Sequence, residues 1–297
     1  MSNKFLLSFP PHLRSKNAVF IQNYEMMIAL VPSLLGAIWV FRLKAVAVVT
    51  VTLISSLITY FLFGLFSKEW RVWDSSVLLT SLLFAFLLPA TIPLWLVVFG
   101  AFLTVIFSKQ VMGQSIFNAV LISKVFVLFC WPTVSKSWLI SEGTKPFWSE
   151  EFLLGPNLFF EHFGGGIGEI SLILILVGAF YLLVRKIIKW RISLSFLITL
   201  IIGSFFGGGT TALDRLFFQV CLGGTLLAAF FFVTDSLTSP VTKKGQIIFG
   251  LGIGILTLLL RFLSKSQESW IVAVLLMNIF VPLIDEYTWP RPFGVKR

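Results

Sequence analysis

The chain has 297 residues, of which 57% are hydrophobic and 12% are charged, and its formal net charge is +10. A soluble core of this size cannot bury so much apolar side chain, so the composition excludes an ordinary soluble enzyme and indicates a polytopic membrane protein. The positive charges lie between apolar runs, where they would orient helices in a bilayer, and this distribution argues against a nucleic-acid partner.

Ten apolar runs follow a polar segment at residues 1–23 and predict an all-α membrane protein with ten transmembrane helices. The predicted spans are 24–41, 45–66, 75–88, 93–107, 116–131, 170–184, 193–206, 217–233, 247–263 and 270–284. No cleavable signal pattern precedes the first run, which is therefore expected to remain as a helix. Several spans are shorter than the ~20 residues that cross a bilayer upright, which favours a substrate-bearing interior.

With ten spans, both termini lie on the same side of the membrane. Lys and Arg residues are more frequent in the segments on that side than in those on the opposite side, which predicts that both termini are cytoplasmic. We expect one integral membrane domain over 1–297: a cytoplasmic segment 1–23, a five-helix half 24–131, an external loop 132–169, a second five-helix half 170–286 and a tail 287–297. Ser81–Phe86 is similar to Thr225–Phe230 in the corresponding span of the second half. Five helices per half would make the halves inverted in the membrane, although chance similarity of Leu-, Ala- and Phe-rich helices is the alternative.

The stretch from Phe217 to Phe249 is the most informative, because a polar hinge containing Asp235 joins two apolar runs. An acid at the lip of a membrane segment is costly and usually lines an ion or substrate path. The stretch resembles the family that holds the D subunit of the Rnf electron-transport complex and the B subunit of the sodium-pumping NADH:quinone reductase. The resemblance covers residues 10–295 and includes Pro11–Arg14, Asp74–Trp95 and Leu275–Asp285.

The resemblance also implies a covalent flavin in the external loop. Members of that family carry FMN on the Thr of a Ser-x-Ala-Thr motif, to which Ser141, Glu142, Gly143 and Thr144 are similar, so Thr144 is the expected attachment point. The following run, Gly164–Ser171, resembles another family segment and adds Gly166, Gly168 and Glu169 to the expected cofactor site. Residues Ser108–Asn118 resemble a third family segment with fewer glycines, which leaves a second flavin, riboflavin, open.

Two further acids, Asp235 and Asp285, are predicted to lie on an ion path at the cytoplasmic ends of spans eight and ten. Solvation at a helix end is one alternative for these acids, and pairing with Lys243, Lys244 or Arg291 is the other. The two cysteines, Cys130 and Cys221, show no metal or cluster spacing and are expected to be small core residues, so no metal site is predicted.

Taken together, the resemblance implies a redox subunit of an ion-translocating complex in the bacterial inner membrane. It would pass electrons through covalent FMN between other membrane and flavin-bearing subunits and couple this transfer to Na+ or H+ movement. No catalytic residue is assigned, since the chain has no nucleotide-binding glycine motif and no cluster cysteines for oxidising NADH alone. A channel or carrier without redox function, or a structural subunit on the same scaffold, remains the alternative.

Overall fold

The computed structural model describes residues 16–66, 74–108, 117–132, 166–169, 171–205, 220, 224–264, 266 and 268–289. Its helices are α1 (Lys16–Phe41), α2 (Leu43–Phe66), α3 (Ser75–Phe86), α4 (Leu94–Ile106), α5 (Ala119–Cys130), α6 (Leu172–Val184), α7 (Trp190–Phe205), α8 (Thr225–Leu227, continuing as a π-helix over Ala228–Phe232), α9 (Lys243–Ser264) and α10 (Ser269–Thr288). A 3-10 turn, Ile167–Glu169, precedes α6. Within these ranges all regular structure is helical, which confirms the predicted all-α polytopic fold.

Four helices are long and apolar enough to cross a membrane: Phe20–Phe41, Leu43–Leu65, Lys243–Ser264 and Ser269–Thr288. The helices α3 to α7 are apolar but shorter, with 12 to 16 residues each. Both the short and the long helices have apolar outer faces. Phe180, on a short helix, is 68% exposed, and Trp39 and Phe262, on long helices, are 81% and 86% exposed. Such surfaces are expected where lipid or a partner subunit, rather than water, surrounds a protein.

Local sequence explains where the short helices begin and end. The side chain of Asp74 accepts a hydrogen bond from the backbone N–H of Ser76 and caps α3, and Asn118 caps α5 through the N–H of Val120. Helix α3 stops before Pro89, because proline cannot donate the backbone hydrogen bond that continues a helix. The last turn of α3 therefore ends inside the protein, where Leu87 and Leu88 are 2% and 1% exposed.

The two halves repeat one order of packing. Helix α2 packs against α4, and α4 against α5, while in the second half α7 packs against α9, and α9 against α10. Contacts of α1 with α6 and of α5 with α10 join the halves. The centre is filled by large buried side chains, including Phe84, Phe86, Phe231, Phe232 and Trp270.

One prediction about the core is wrong. Cys130, the last residue of α5, has an exposed side chain and, like the exposed Phe129 before it, lies on the outer surface rather than in the core. Cys221 lies outside the described residues.

Candidate functional site

Buried polar contacts collect at the two ends of the helix bundle. At the end where α1 begins, Gln22 donates to Ser236 over 3.0 Å and Asn23 donates to Ser75 over 3.2 Å. These contacts join the beginnings of α1 and α3 to the segment after α8. They bring together segments that the charge pattern places on one side of the membrane, as the predicted topology requires.

Asp235 lies in this end, immediately after α8. Its Oδ2 accepts a hydrogen bond from the Asn118 amide over 3.2 Å, and its Oδ1 accepts one from the Leu237 N–H over 3.2 Å. Burial raises the pKa of Asp235, while these two donors and the nearby Lys189 oppose the increase. The carboxyl is thus held in place by neutral donors that would stabilise its ionised form.

Lys189 is close enough to Asp235 and to the second predicted acid, Asp285, for both charges to act on it. Its ammonium donates to the Ser239 hydroxyl over 2.9 Å and to the Pro240 carbonyl over 3.0 Å. Burial lowers the pKa of Lys189, and the charges of Asp285 and Asp235 act in the opposite direction. Asp285 is half-buried and accepts the Val241 N–H at Oδ1 over 3.1 Å.

We name Asp235, Asp285, Lys189 and Asn118 the Asp235 cluster. Sequence analysis identified its two acids but not Lys189, which is separated from them by at least 46 positions along the chain. The predicted alternative partners Lys243 and Lys244 form no ion pair with either acid in the described part of the chain. The third alternative, Arg291, lies outside the described residues.

A second charged group lies near the opposite end, around Lys124 of α5. The Lys124 side chain is 1% exposed, and its ammonium donates to the Leu87 carbonyl over 2.8 Å and to the Glu268 carboxylate over 2.9 Å. Leu87 ends α3, so the lysine satisfies a backbone carbonyl that the broken helix would leave without a partner. An ammonium this deeply buried requires such partners.

Glu169 lies close to this ion pair, in the 3-10 turn before α6. Burial, and after it the negative charge of Glu268, raise the pKa of Glu169 to about 8, although Lys124 and a backbone donor at Gly166 oppose the increase. We name Lys124, Glu268 and Glu169 the Lys124 cluster. Glu169, which was predicted as part of the cofactor site, therefore has two charged neighbours that the sequence did not associate with it.

The glycines beside Glu169 allow a close backbone approach to the end of α3. The Ile167 N–H donates to the Leu88 carbonyl over 2.8 Å. A Cβ added at Gly166 would lie 2.4 Å from the Phe86 carbonyl oxygen, and one at Gly168 would lie 2.6 Å from the Phe86 ring. The structure thus gives both glycines a packing role against α3, and their predicted place in the cofactor site stays a prediction.

The residues predicted to carry FMN, Ser141, Gly143 and Thr144, lie outside the described residues. The attachment of FMN at Thr144 therefore stays a prediction. Residues 109–116, most of the segment considered for riboflavin, also lie outside the described ranges, whereas Asn118 at its end belongs to the Asp235 cluster.

Helix α8 connects the two clusters. It begins at Gly224, which has a φ of 70° and lies so close to Glu169 that an added Cβ would clash with its carboxylate. The π-helix that follows changes the backbone hydrogen bonding, and the Ala229 carbonyl accepts the Ser193 hydroxyl of α7 over 2.6 Å. Single π-helical turns often occur at functional sites. Two residues after this turn the chain reaches Thr234 and then Asp235.

Comparison with known proteins identifies the family of this chain. The profile of the NQR2, RnfD, RnfE family matches residues 6–294. The chain belongs to this family. Both clusters and all ten described helices fall within the matched range.

Family members with similar sequences belong to named complexes. The D subunit of the proton-translocating ferredoxin:NAD(+) oxidoreductase complex of Clostridium ljungdahlii is 33% identical over 324 residues, covering 99% of this chain and 98% of that protein. The D subunit of the Na(+)-translocating ferredoxin:NAD(+) oxidoreductase complex of Acetobacterium woodii is 34% identical over 314 residues, covering 98% and 96%. The D subunit of the ion-translocating oxidoreductase complex of Methanosarcina acetivorans is 30% identical over 297 residues, covering 98% and 97%.

Proposed function

We propose that this chain is the D subunit of an Rnf-type ion-translocating oxidoreductase complex in a bacterial inner membrane. It would assemble with other membrane and flavin-bearing subunits and would not be catalytic alone. The similarity to the D subunits of such complexes extends over nearly the whole chain, and the charged clusters supply groups suited to a cation. With both termini cytoplasmic, the Asp235 cluster would face the cytoplasm and the Lys124 cluster the external side.

The observation that carries this proposal is the charge balance of the two clusters. Each contains two carboxylates and one ammonium: Asp235 and Asp285 with Lys189, and Glu169 and Glu268 with Lys124. When all groups are ionised, each cluster has one excess negative charge, and each contains an acid, Asp235 or Glu169, whose burial raises its pKa. Such an excess is costly unless a cation binds or a proton neutralises one carboxyl. Both clusters are therefore suited to taking up one Na+ or one H+.

Helix α10 places the clusters at its two ends. Glu268 precedes its first residue, and Asp285 lies in its last turn. A cation that entered at one cluster and left at the other would move along this helix. The same chain then provides an entry and an exit site for the ion, while electron transfer belongs to the cofactors of the complex.

We further propose that FMN is esterified to Thr144. Support for this proposal is the motif Ser141, Glu142, Gly143, Thr144 in a segment that follows α5. Gly166 and Gly168 remain part of the proposed cofactor site through their backbone groups, because only the side on which a Cβ would stand packs against α3. The isoalloxazine would supply the redox chemistry, and the tether would remove the need for a binding step.

Flavin fluorescence of the denatured chain tests this function. The complex would be expressed together with the enzyme that attaches FMN, and the denatured subunit would be examined in a gel under ultraviolet light. Fluorescence is expected on the wild-type band and on a Thr133→Ala control, and should be lost in Thr144→Ala. A dark wild-type band, when a known covalent flavoprotein from the same cells fluoresces, would favour a carrier or structural subunit without a redox cofactor.

A further inference from the structure

Helix α10 contains one polar side chain in the middle of its apolar length. Between Trp270 and Ile284 the sequence reads WIVAVLLMNIFVPLI, and Asn278 is the only residue in it with an amide, a hydroxyl or a charge. The side chain of Asn278 is 0% exposed. An amide in this position requires hydrogen-bond partners or a ligand, because an unpaired buried amide is costly.

The described residues provide Asn278 with no such partner. Neither its Oδ1 nor its Nδ2 has a hydrogen bond. Its complete burial within this chain also means that a side chain of another subunit cannot reach it. Buried unpaired polar groups in native proteins usually mark a bound ion, a bound water or a functional strain.

A second oxygen is available in the same turn of the helix. Pro282 lies inside α10, four residues after Asn278. In an α-helix the N–H of residue 282 would bond to the carbonyl of residue 278, but proline has no N–H. The backbone carbonyl of Asn278 thus lacks its regular donor, so one residue offers a side-chain oxygen and a backbone oxygen together.

The position of Asn278 along α10 connects it with both clusters. It lies seven residues before Asp285, which is about 10.5 Å along a helix and nearly on the same face. It lies ten residues after Glu268, which is about 15 Å along the helix. Along α10, Asn278 is therefore an intermediate polar residue in an apolar run that separates the two charged groups.

We propose that Asn278, through its side-chain oxygen and its backbone carbonyl, binds a partly dehydrated monovalent cation midway between the two clusters. This inference rests on the proposed ion-translocating function and deepens it by adding an intermediate binding site. Neutral oxygen ligands are those that hard cations such as Na+ prefer, and carbonyls freed by interrupted helices coordinate ions in membrane transporters. A monovalent ion fits, because two neutral ligands would not compensate the desolvation of a divalent one. The amide NH2 group can donate to water that remains bound to the cation.

The test uses the complete complex in proteoliposomes. Cation uptake coupled to electron transfer would be measured in two titrations. In the first, the Na+ concentration is varied at constant ionic strength by replacing NaCl with choline chloride. In the second, the pH is varied at low sodium. In Asn278→Leu the half-saturating concentration of the translocated cation is expected to increase by about tenfold or more, because both the side-chain ligand and its dipole are lost. Pro282→Ala should shift it in the same direction but less, since the new N–H competes for the carbonyl alone. Leu276→Ala, at a half-exposed position of the same helix, is the matched control and should behave as wild type.

Thermal unfolding in detergent without Na+ separates this site from a structural role. Leucine has the same branched shape as asparagine and removes an unpaired amide, so Asn278→Leu should be at least as stable as wild type under these conditions. If Na+ is the ligand, added NaCl should raise the unfolding temperature of the wild type and not that of the variant. If Asn278→Leu instead loses only the dependence of cation uptake on pH, the bound cation is hydronium. An Asn278→Leu complex with the cation dependence of the wild type would overturn the proposed site and leave the ion-translocating function intact. A wild-type complex whose activity responds to neither cation would overturn both.

Discussion

The ammonium nitrogen of Lys124 lies 2.9 Å from a carboxylate oxygen of Glu268, and this contact joins the two halves of the molecule. Lys124 belongs to α5, the last helix of the first half, and Glu268 immediately precedes α10, the last helix of the second. The same ammonium binds the carbonyl at the end of α3. One side chain therefore connects a broken helix, an acid and the interface between the halves.

Replacing Lys124 with methionine should destabilise the protein strongly. The variant retains the volume of the side chain but leaves Glu268 buried without its counter-ion and the Leu87 carbonyl without its donor. Breaking a buried pair by removing one partner costs about 3–5 kcal/mol. Thermal and denaturant unfolding of the purified protein in detergent would measure this loss.

Two controls distinguish the pair from the lysine alone. Lys44→Met changes an exposed lysine at the start of α2 and should have little effect. The double variant Lys124→Met with Glu268→Gln removes both charges of the ion pair and should recover part of the stability, since Glu268 is no longer left ionised without its counter-ion. A double variant as unstable as the sum of the two single changes would contradict a direct interaction.

The stability of the protein should depend on pH through Glu169. Its pKa is raised in the folded state from 4.5 to about 8, so the folded protein binds this proton more tightly than the unfolded chain does. This contribution to stability is complete below pH 4.5, decreases as the pH rises, and is lost above about pH 8. Glu169→Gln mimics the protonated carboxyl and should flatten the decrease in unfolding temperature across this range. A variant with the same pH profile as the wild type would show that Glu169 is not the titrating group.

Alanine at Gly166 should destabilise the junction between the 3-10 turn and α3. The new Cβ would lie 2.4 Å from the backbone oxygen of Phe86, and backbone atoms cannot move aside cheaply. Overpacking of this kind typically costs about 1–3 kcal/mol. Gly36→Ala is the matched control, because its Cβ would meet only the end of the flexible Leu174 side chain. Unfolding measurements that rank Gly36→Ala as the more damaging change would argue against the close packing described for Gly166.

The charge of Asp235 should matter for cation transport more than its hydrogen bond does. Asp235→Asn removes the charge but retains an oxygen that can accept from Asn118, whereas Asn118→Ala removes the donor and keeps the charge. Cation uptake by the reconstituted complex is expected to decrease by about tenfold in Asp235→Asn and less in Asn118→Ala. Glu286→Gln, an exposed acid beside Asp285, should leave uptake unchanged. Equal losses in both cluster variants would point to a structural role for the contact.

The sequence predicted much of the scaffold because its signals are local. Apolar runs of sufficient length predict membrane helices, and Pro89 and Pro93 mark the interruption after α3. The π-helical turn of α8 was not predicted, since its residues, Ala228–Phe232, have no composition that distinguishes them from a regular α-helix. The exposure of Cys130 depends on which side of α5 packs against other helices, and hydropathy alone does not report this for a helix that is apolar on all sides.

The candidate site, too, was only partly predictable from the sequence. A carboxyl at the edge of an apolar run can be recognised from composition alone, because burying it is costly, and this cost pointed to Asp235 and Asp285. Glu169 was predicted from the family resemblance instead. The partners of these acids could not be recognised from composition. Lys189, Lys124 and Glu268 come from distant parts of the chain, and only helix packing brings them near. The sequence by itself determined a polytopic helical membrane protein with acids at its helix ends. Only the tertiary structure decided that each pair of acids shares one lysine, because a charge balance depends on distances in space rather than on positions in a chain.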